Sequence, residues 1–143
     1  MSSLPPDTRL LLIDDHQIYL DGLSLTLGSL CEGVKLDHAR NAAEALQLVR
    51  EYPYDLILLD LQLPDSSGLS LMQKLRAADA MVPIAILSAS NSPSDLEAAL
   101  QLGAAGFISK TTDGKTLLDA VTQLLYGAQV VIGDTALKID RQT

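Results

Sequence analysis

The chain has 143 residues, 48% of them hydrophobic, with four Tyr, one Phe and no Trp, which suits one domain with an aliphatic core of Leu, Ile, Val and Ala. A formal net charge of −8 argues against the chain gripping nucleic acid or an anionic membrane by itself, and unbroken apolar runs of at most four residues are far too short to span a bilayer. The opening MSSLPPDT lacks the basic and apolar regions of a secretory signal, and a lone cysteine, Cys31, excludes an internal disulfide or a cysteine-rich metal site; the plain reading is a cytoplasmic protein with Cys31 as a structural thiol.

Leu10 to Ile13 is a continuous apolar run and reads as a buried strand. From His16 onward, Leu20, Leu23, Leu27 and Leu30 recur at helical spacing. Ile18 and Leu25 lie off that stripe and are available for an apolar contact on the outside of the helix. Val34 to Arg40 is half polar and suits an outer strand. Asn41 is placed to cap the next helix, with Glu44 as its capping-box partner, and the helix continues through Ala45, Leu46 and Val49. Tyr54 to Leu59 is the second strongly apolar run, and Gly68 to Ala78 returns to helical period through Leu71, Met72 and Leu75. Pro83 to Leu87 is the third such run, after which Ser94 or Asp95 opens a helix that Gly103 closes. Ala105 to Ser109 is a short strand, and Thr112 or Asp113 begins a last helix through Leu117, Leu118, Val121 and Leu125. The tail from Gly127, GAQVVIGDTALKIDRQT, has one apolar triplet and then turns polar; it reads as the start of a linker. Repeated strand-then-helix units with apolar strands predict an α/β fold, a parallel sheet with helices on both faces.

The strand ends carry the chemistry. In open α/β sheets ligands bind at the carboxyl ends of the strands. Here those ends are Asp14-Asp15, Asp60, Ser88 and Ser109-Lys110. Singly, such residues serve as helix caps, turns or solvated charges; together they bring carboxylates, a hydroxyl and an ammonium to one rim. Neighbouring carboxylates repel unless a cation joins them, and hard oxygen donors without Cys or clustered His point to Mg²⁺ or Mn²⁺. Magnesium leaves room for a phosphoryl group, a carboxylate can be its nucleophile to give an aspartyl phosphate, and the transferred oxygens need the charge and hydrogen bonds that the cation, Lys110 and Ser88 offer. His16, beside the two aspartates, invites reading as a metal ligand or phosphohistidine; the simpler reading is that it only starts the first helix at the rim. His38, in the half-polar strand, is a weaker candidate.

The motifs LLIDDH, LILLDLQLPDSSG, ILSAS and GFISK, spread over residues 8–127, resemble the receiver domain of two-component response regulators. That resemblance implies a flavodoxin-like (βα)5 fold with a five-stranded parallel sheet of order 2-1-3-4-5. It implies Asp60 as phospho-acceptor and metal ligand, Asp15 as a direct Mg²⁺ ligand, Asp14 as an acidic partner acting largely through water, and the backbone carbonyl of Gln62 completing the metal shell. Ser88 and Lys110 would bind the phosphoryl oxygens, and Ser88 with Phe107 would form the switch, the ring turning inward on activation. Pro64 and Gly68 match the loop after the acceptor. The DDH followed by Gly22-Leu23, and SKTTDGKTLLDAV, look like the LuxR/NarL-like subclass with a helix-turn-helix output, although Asp21 stands where that subclass usually has Arg and Thr111 follows Lys110 in place of proline.

By the same resemblance the chain is a signalling switch. It accepts a phosphoryl group from a sensor histidine kinase or histidine phosphotransfer domain, docked on the first helix, and loses it by hydrolysis; it is not a turnover enzyme. Phosphorylation would promote a homodimer, DNA would be met only through an output domain absent from this chain, and no membrane is involved. Residues 128–143 would be a tail or the start of the linker to that output. The alternative is a phosphorylation-independent pseudo-receiver, which usually lacks an acid-pocket residue or the lysine. A phosphatase similar to haloacid dehalogenases needs a second Asp two residues after the nucleophile, where this chain has Gln62.

Overall fold

The apolar runs become the central strands because a strand buried on both faces needs a hydrophobic side chain at every position. In the computed structural model, which describes residues 7–30, 34–78, 81–89 and 93–132, these are β1 (Arg9–Ile13), β3 (Leu56–Asp60) and β4 (Ile84–Ser88). They are flanked by β2 (Lys35–Ala39) on one side and by β5 (Gly106–Ser109) and β6 (Val130–Ile132) on the other. Every neighbouring pair is parallel, in the order β2-β1-β3-β4-β5-β6. Five helices alternate with the strands: α1 (Gln17–Leu30), α2 (Ala42–Glu51), α3 (Gly68–Ala78), α4 (Pro93–Gln101) and α5 (Gly114–Leu125). Among the described residues no helix is long and apolar enough to cross a membrane. Cys31 and the side chain of Leu30 lie outside the described residues.

Strand alternation divides the core in two. Leu10, Leu12, Leu56, Leu58, Ala85, Leu87 and Ile108 pack with Leu20, Leu23 and Leu27 of α1 and Leu117, Leu118, Val121 and Leu124 of α5. The intervening Leu11, Ile13, Ile57, Leu59, Ile84, Ile86 and Phe107 pack with Ala42 and Ala45 of α2, Leu71, Met72 and Leu75 of α3, and Leu96 and Ala99 of α4. Each fully buried Leu in such a core contributes about 1.5–3 kcal/mol. Off the α1 stripe, Ile18 and Leu25 are 89% and 74% exposed, so the outer apolar face expected there is present.

The helix starts follow local chemistry. Asn41 Oδ1 accepts from Glu44 N at 2.8 Å, while the Glu44 carboxylate reaches back to Arg40 N at 2.9 Å, one residue before the cap, so the expected capping box closes a residue early. Asp113 caps α5 by accepting from Thr116 N at 2.7 Å, and those cap bonds hold its carboxyl below the usual range. α4 starts at Pro93, ahead of Ser94 and Asp95, because proline's fixed φ suits the first helical turn. At the amino end of the sheet, Arg9 lies over the Tyr52 ring at 4.3 Å and Tyr54 donates its hydroxyl to Asp37 at 2.6 Å, tying β1 to the segment before β3 and to β2.

The expected 2-1-3-4-5 order is present, but five strands is one too few and the tail is not all linker. α5 ends at Leu125, Gly127 takes a φ of 92° just beyond it, and the chain turns back so that Val130 N donates to Ala105 O at 3.1 Å. Val130, Val131 and Ile132 then pair with Gly106, Phe107 and Ile108. Val130 is buried in the α1/α5 core, and Val131 packs against the other. Three apolar residues carry too little periodicity to declare a strand; the open edge of β5 supplies the reason to form one. Gly106 permits the approach, since a Cβ there would stand 2.9 Å from Val130 O and 3.1 Å from Leu124 Cδ2. Gly106→Ala is expected to destabilise the chain by about 1–3 kcal/mol, the scale of overpacking, with faster amide exchange at residues 130–132; unchanged exchange there would show that β6 tolerates the extra carbon.

Candidate functional site

The same alternation that sorts the core selects the site. Asp14 extends the Leu10, Leu12 row, Asp60 the Leu56, Leu58 row and Lys110 the row of Ile108, all on the α1/α5 side. At the carboxyl rim these side chains therefore meet. Lys110 Nζ lies 2.6 Å from Asp14 Oδ2 and 3.4 Å from Asp60 Oδ2. Asp14 and Asp60 are only 1% and 4% exposed, whereas Asp15 stands at the mouth, its side chain 38% exposed. Burial, and then the negative charge of Asp14, push the Asp60 carboxyl above its ordinary value; Lys110 opposes the shift.

One ammonium does not satisfy two buried carboxylates. Asp14 Oδ2 is taken up by Lys110 at 2.6 Å, while Asp60 Oδ2, 3.4 Å from the same ammonium, is buried without a hydrogen bond. With Asp15 and His16 they form a group whose donor atoms all lie within 4.8 Å of one another. Buried carboxylate oxygens facing each other across a single ammonium are the donor set a divalent cation neutralises, so the residues present fit such an ion.

The backbone around Asp60 is fixed by the loop that follows it. Gly68 N donates to Leu61 O at 2.7 Å, Gln62 bridges Ser67, and Gln62 N donates to Asp60 Oδ1 at 3.3 Å. A Cβ on residue 68 would sit 2.5 Å from Leu61 Cα and 2.7 Å from Asp60 O, so only glycine allows the loop to close against the strand. Asp65, which sequence reasoning passed over, accepts from Ala42 N at 2.8 Å and Ala43 N at 3.3 Å. These bonds depress its carboxyl pKa and moor the loop to the start of α2.

Ser88 and Phe107 lie on the other side of the sheet. Ser88 continues the Ile84, Ile86 row and lines a pocket of about 190 Å³ with Leu61, Gln62, Ser67, Leu69 and Asp95. The Phe107 ring, expected to turn inward on activation, is already inside at 4% exposure, packed in the core under α3 and α4. Thr111 takes the place of the usual proline with a bond proline lacks: its N–H donates to Ser109 Oγ at 3.2 Å. Asp21 accepts from the Gln17 side chain at 2.8 Å, one turn earlier in α1.

Tyr19, which sequence reasoning passed over, and His16, which it read as only starting the first helix, also reach the pocket. The Lys110 ammonium stands 4.8 Å from the centre of the Tyr19 ring, and burial, with the charges of Asp14 and Asp60, pushes the Tyr19 phenol up to about 12. His16 Nδ1 lies 2.8 Å from Asp14 Oδ1. Their three-residue spacing at the start of α1, which places both on one helix face, was the available signal. His38, on β2, meets the Ser24 hydroxyl at 2.7 Å, away from this cluster.

Residues 10–122 match the family described as response regulator receiver domain. The chain is 34% identical over 131 residues to the nitrate/nitrite response regulator protein NarL of Escherichia coli strain K12, covering 92% of this chain and 60% of that protein. A solved two-component response regulator of the LuxR family from Aurantimonas sp. SI85-9A1 has a TM-score of 0.79 at 28% identity, with 85% of this chain and 87% of that chain covered. A response regulator protein from Burkholderia pseudomallei, solved with a phosphorylated aspartic acid, a calcium ion and citrate, has a TM-score of 0.74 at 28% identity, with 84% and 69% covered.

The crowding of charge has a measurable cost. Because Asp60 titrates above its unfolded value, the folded chain binds the extra proton between the two pKa values, and stability falls as pH rises through the folded one. In metal-free buffer Asp60→Asn is expected to be more stable than the wild type at neutral pH by about 1–3 kcal/mol, the scale of a buried polar group without a partner. Urea unfolding over a pH series should show that gap narrowing as the medium is acidified; a widening gap would contradict the assignment.

Proposed function

This chain belongs to the response regulator receiver family, in its LuxR/NarL-like branch, and on that premise we propose that it is a phosphorylation-activated switch with Asp60 as acceptor. The observation that carries the reading is the buried Asp60 carboxylate, one oxygen unsatisfied and 3.4 Å from the Lys110 ammonium. An Asp60 oxygen attacks the phosphorus of a phosphohistidine on a sensor histidine kinase or histidine phosphotransfer domain. The P–N bond breaks, the imidazole leaves with that electron pair, and an acyl phosphate remains on Asp60. Hydrolysis reverses the state: water attacks phosphorus, the P–O bond to Asp60 breaks, and inorganic phosphate departs. Lys110 offers positive charge to the phosphoryl oxygens, and burial keeps competing water away. Asp14, Asp15 and Asp60, with the carbonyl of Gln62, would hold Mg²⁺ or Mn²⁺, which when bound neutralises the incoming phosphoryl oxygens. The phosphorylated aspartic acid and calcium ion of the Burkholderia pseudomallei relative support the reading.

On this reading Ser88 approaches the phosphoryl group from the α3/α4 side. Phe107 is already buried, so its response is a repacking beneath α4 in place of an outside-in rotation. Val131 of β6 is the strand partner of Phe107, which gives the change a path to the chain beyond residue 132; we accordingly place the receiver at residues 8–132. The output we assign is transcription regulation, by homodimer formation and a LuxR-type DNA-binding domain, with the receiver itself working in the cytoplasm. The net charge of −8 argues against the receiver itself gripping DNA. A phosphorylation-independent module would not require Lys110 held between Asp14 and Asp60.

Incubation with acetyl phosphate and Mg²⁺ is expected to add a single acid-stable, base-labile phosphoryl group, read by intact mass. Asp60→Asn should gain none, and a full mass gain in that variant would reject Asp60 as acceptor. The exposed Ile18 and Leu25 of α1 form the face we assign to the kinase. Ile18→Glu should slow transfer from the kinase by about tenfold, the equivalent of 1.4 kcal/mol, while acetyl phosphate labelling continues; equal loss of both would remove the docking assignment.

A further inference from the structure

Lys110 is held at its two ends by different means. Its backbone N–H donates to Ser88 O at 2.9 Å, which fixes where the side chain starts, but a flexible four-carbon stem separates that point from the ammonium. Asp14 and Asp60 draw the ammonium from one side, at 2.6 Å and 3.4 Å. It also stands over the Tyr19 ring, 4.8 Å from its centre, and the Lys110 side chain is only 11% exposed. Tyr19 lies in the first turn of α1, half-buried, and packs against the α1/α5 core, so the ring is itself fixed. Its phenol is pushed up to about 12 by burial and by the charges of Asp14 and Asp60. Tyr19 therefore stays neutral, and what it offers the cation is a ring face and not a phenolate.

These two holds on the ammonium depend on different things. The pull of Asp14 and Asp60 is at full strength only while their charges are uncompensated, and it weakens when another cation shares them. The attraction between an ammonium and an aromatic face depends on neither carboxylate and is strongest away from water. A ring face attracts the charge as a whole, so the three N–H donors of the ammonium stay available for oxygen atoms. We propose that Tyr19 is a positioning residue whose ring face keeps the Lys110 ammonium beside Asp60, whether or not a cation shares the carboxylates, and so speeds phosphoryl uptake. The inference rests on Asp60 being the acceptor, and its test is separable from that reading.

The first measurement needs neither a variant nor a metal. In the metal-free wild type, the Lys110 Cε protons should resonate upfield of an ordinary lysine, because the ring current of Tyr19 reaches the end of that side chain. Signals at the ordinary position overturn the inference. Tyr19→Phe should keep the shift and Tyr19→Leu should abolish it. With acetyl phosphate and Mg²⁺, Tyr19→Leu should be labelled roughly tenfold more slowly than the wild type, the scale of a desolvated cation–π contact, while Tyr19→Phe keeps the wild-type rate. An equal loss in Tyr19→Phe would move the role to the hydroxyl and overturn the ring assignment, as would a wild-type rate in Tyr19→Leu. A role in core packing alone would slow labelling whether or not Lys110 is present. Acting through Lys110, Tyr19→Leu should slow labelling no further when added to Lys110→Met; an additive loss overturns the inference. Failure of the wild type to be labelled at all would instead count against the switch reading, and the proton shifts would still decide whether Tyr19 holds Lys110.

Discussion

Two buried carboxylates sharing one ammonium is the constraint on which this molecule turns. Charges removed from water are costly unless paired, and here Lys110 stands between Asp14 and Asp60 at 2.6 Å and 3.4 Å. The count is uneven by one negative charge, and Asp60 Oδ2 is left without a hydrogen bond. Such a pocket is not at rest electrostatically. It favours whatever arrives with positive charge or alters the charge on Asp60, which is the requirement for a switch driven by a small group.

A parallel sheet buried on both faces can sustain that arrangement. β3 and β4 are buried at every position, and the aliphatic layers on either side hold the strand ends in register. The rim is further secured by the loop after Asp60, which Gly68 lets close and Asp65 fastens to α2. Thus the local destabilisation around Asp60 is offset by packing elsewhere, and the position of Asp60 is set by backbone geometry more than by its own contacts.

α1 performs three tasks with one helical period. Leu20, Leu23 and Leu27 face the core, Ile18 and Leu25 face solvent, and His16 and Tyr19 face the pocket. A partner seated on the outer face would therefore lie within a turn or two of the residues that face the pocket. On the opposite side of the sheet, Ser88, Phe107 and Val131 form a second sequence of neighbours, running from the rim to β6. The proposed input and output surfaces therefore lie on opposite faces of the sheet.

Much of this was legible in the residue order. Continuous apolar runs gave the central strands, helical spacing gave the five helices, and carboxylates closing those runs marked the rim; the four motifs then pointed to the family. These features are local, so pattern alone carries them. Counting by twos from Leu10 and Leu56 also puts Asp14 and Asp60 on one face. What pattern could not carry were contacts between segments distant in the chain. β6 exists because β5 offers an unpaired edge, not because three apolar residues demand a strand. Phe107 is inside because the α3/α4 core closes over it, and His16 belongs to the pocket because Lys110, 94 positions away, is brought to its side. Sequence determined which groups are present at the strand ends; the tertiary fold decided which of them touch, since side-chain direction at a rim depends on neighbours the chain reaches only after folding.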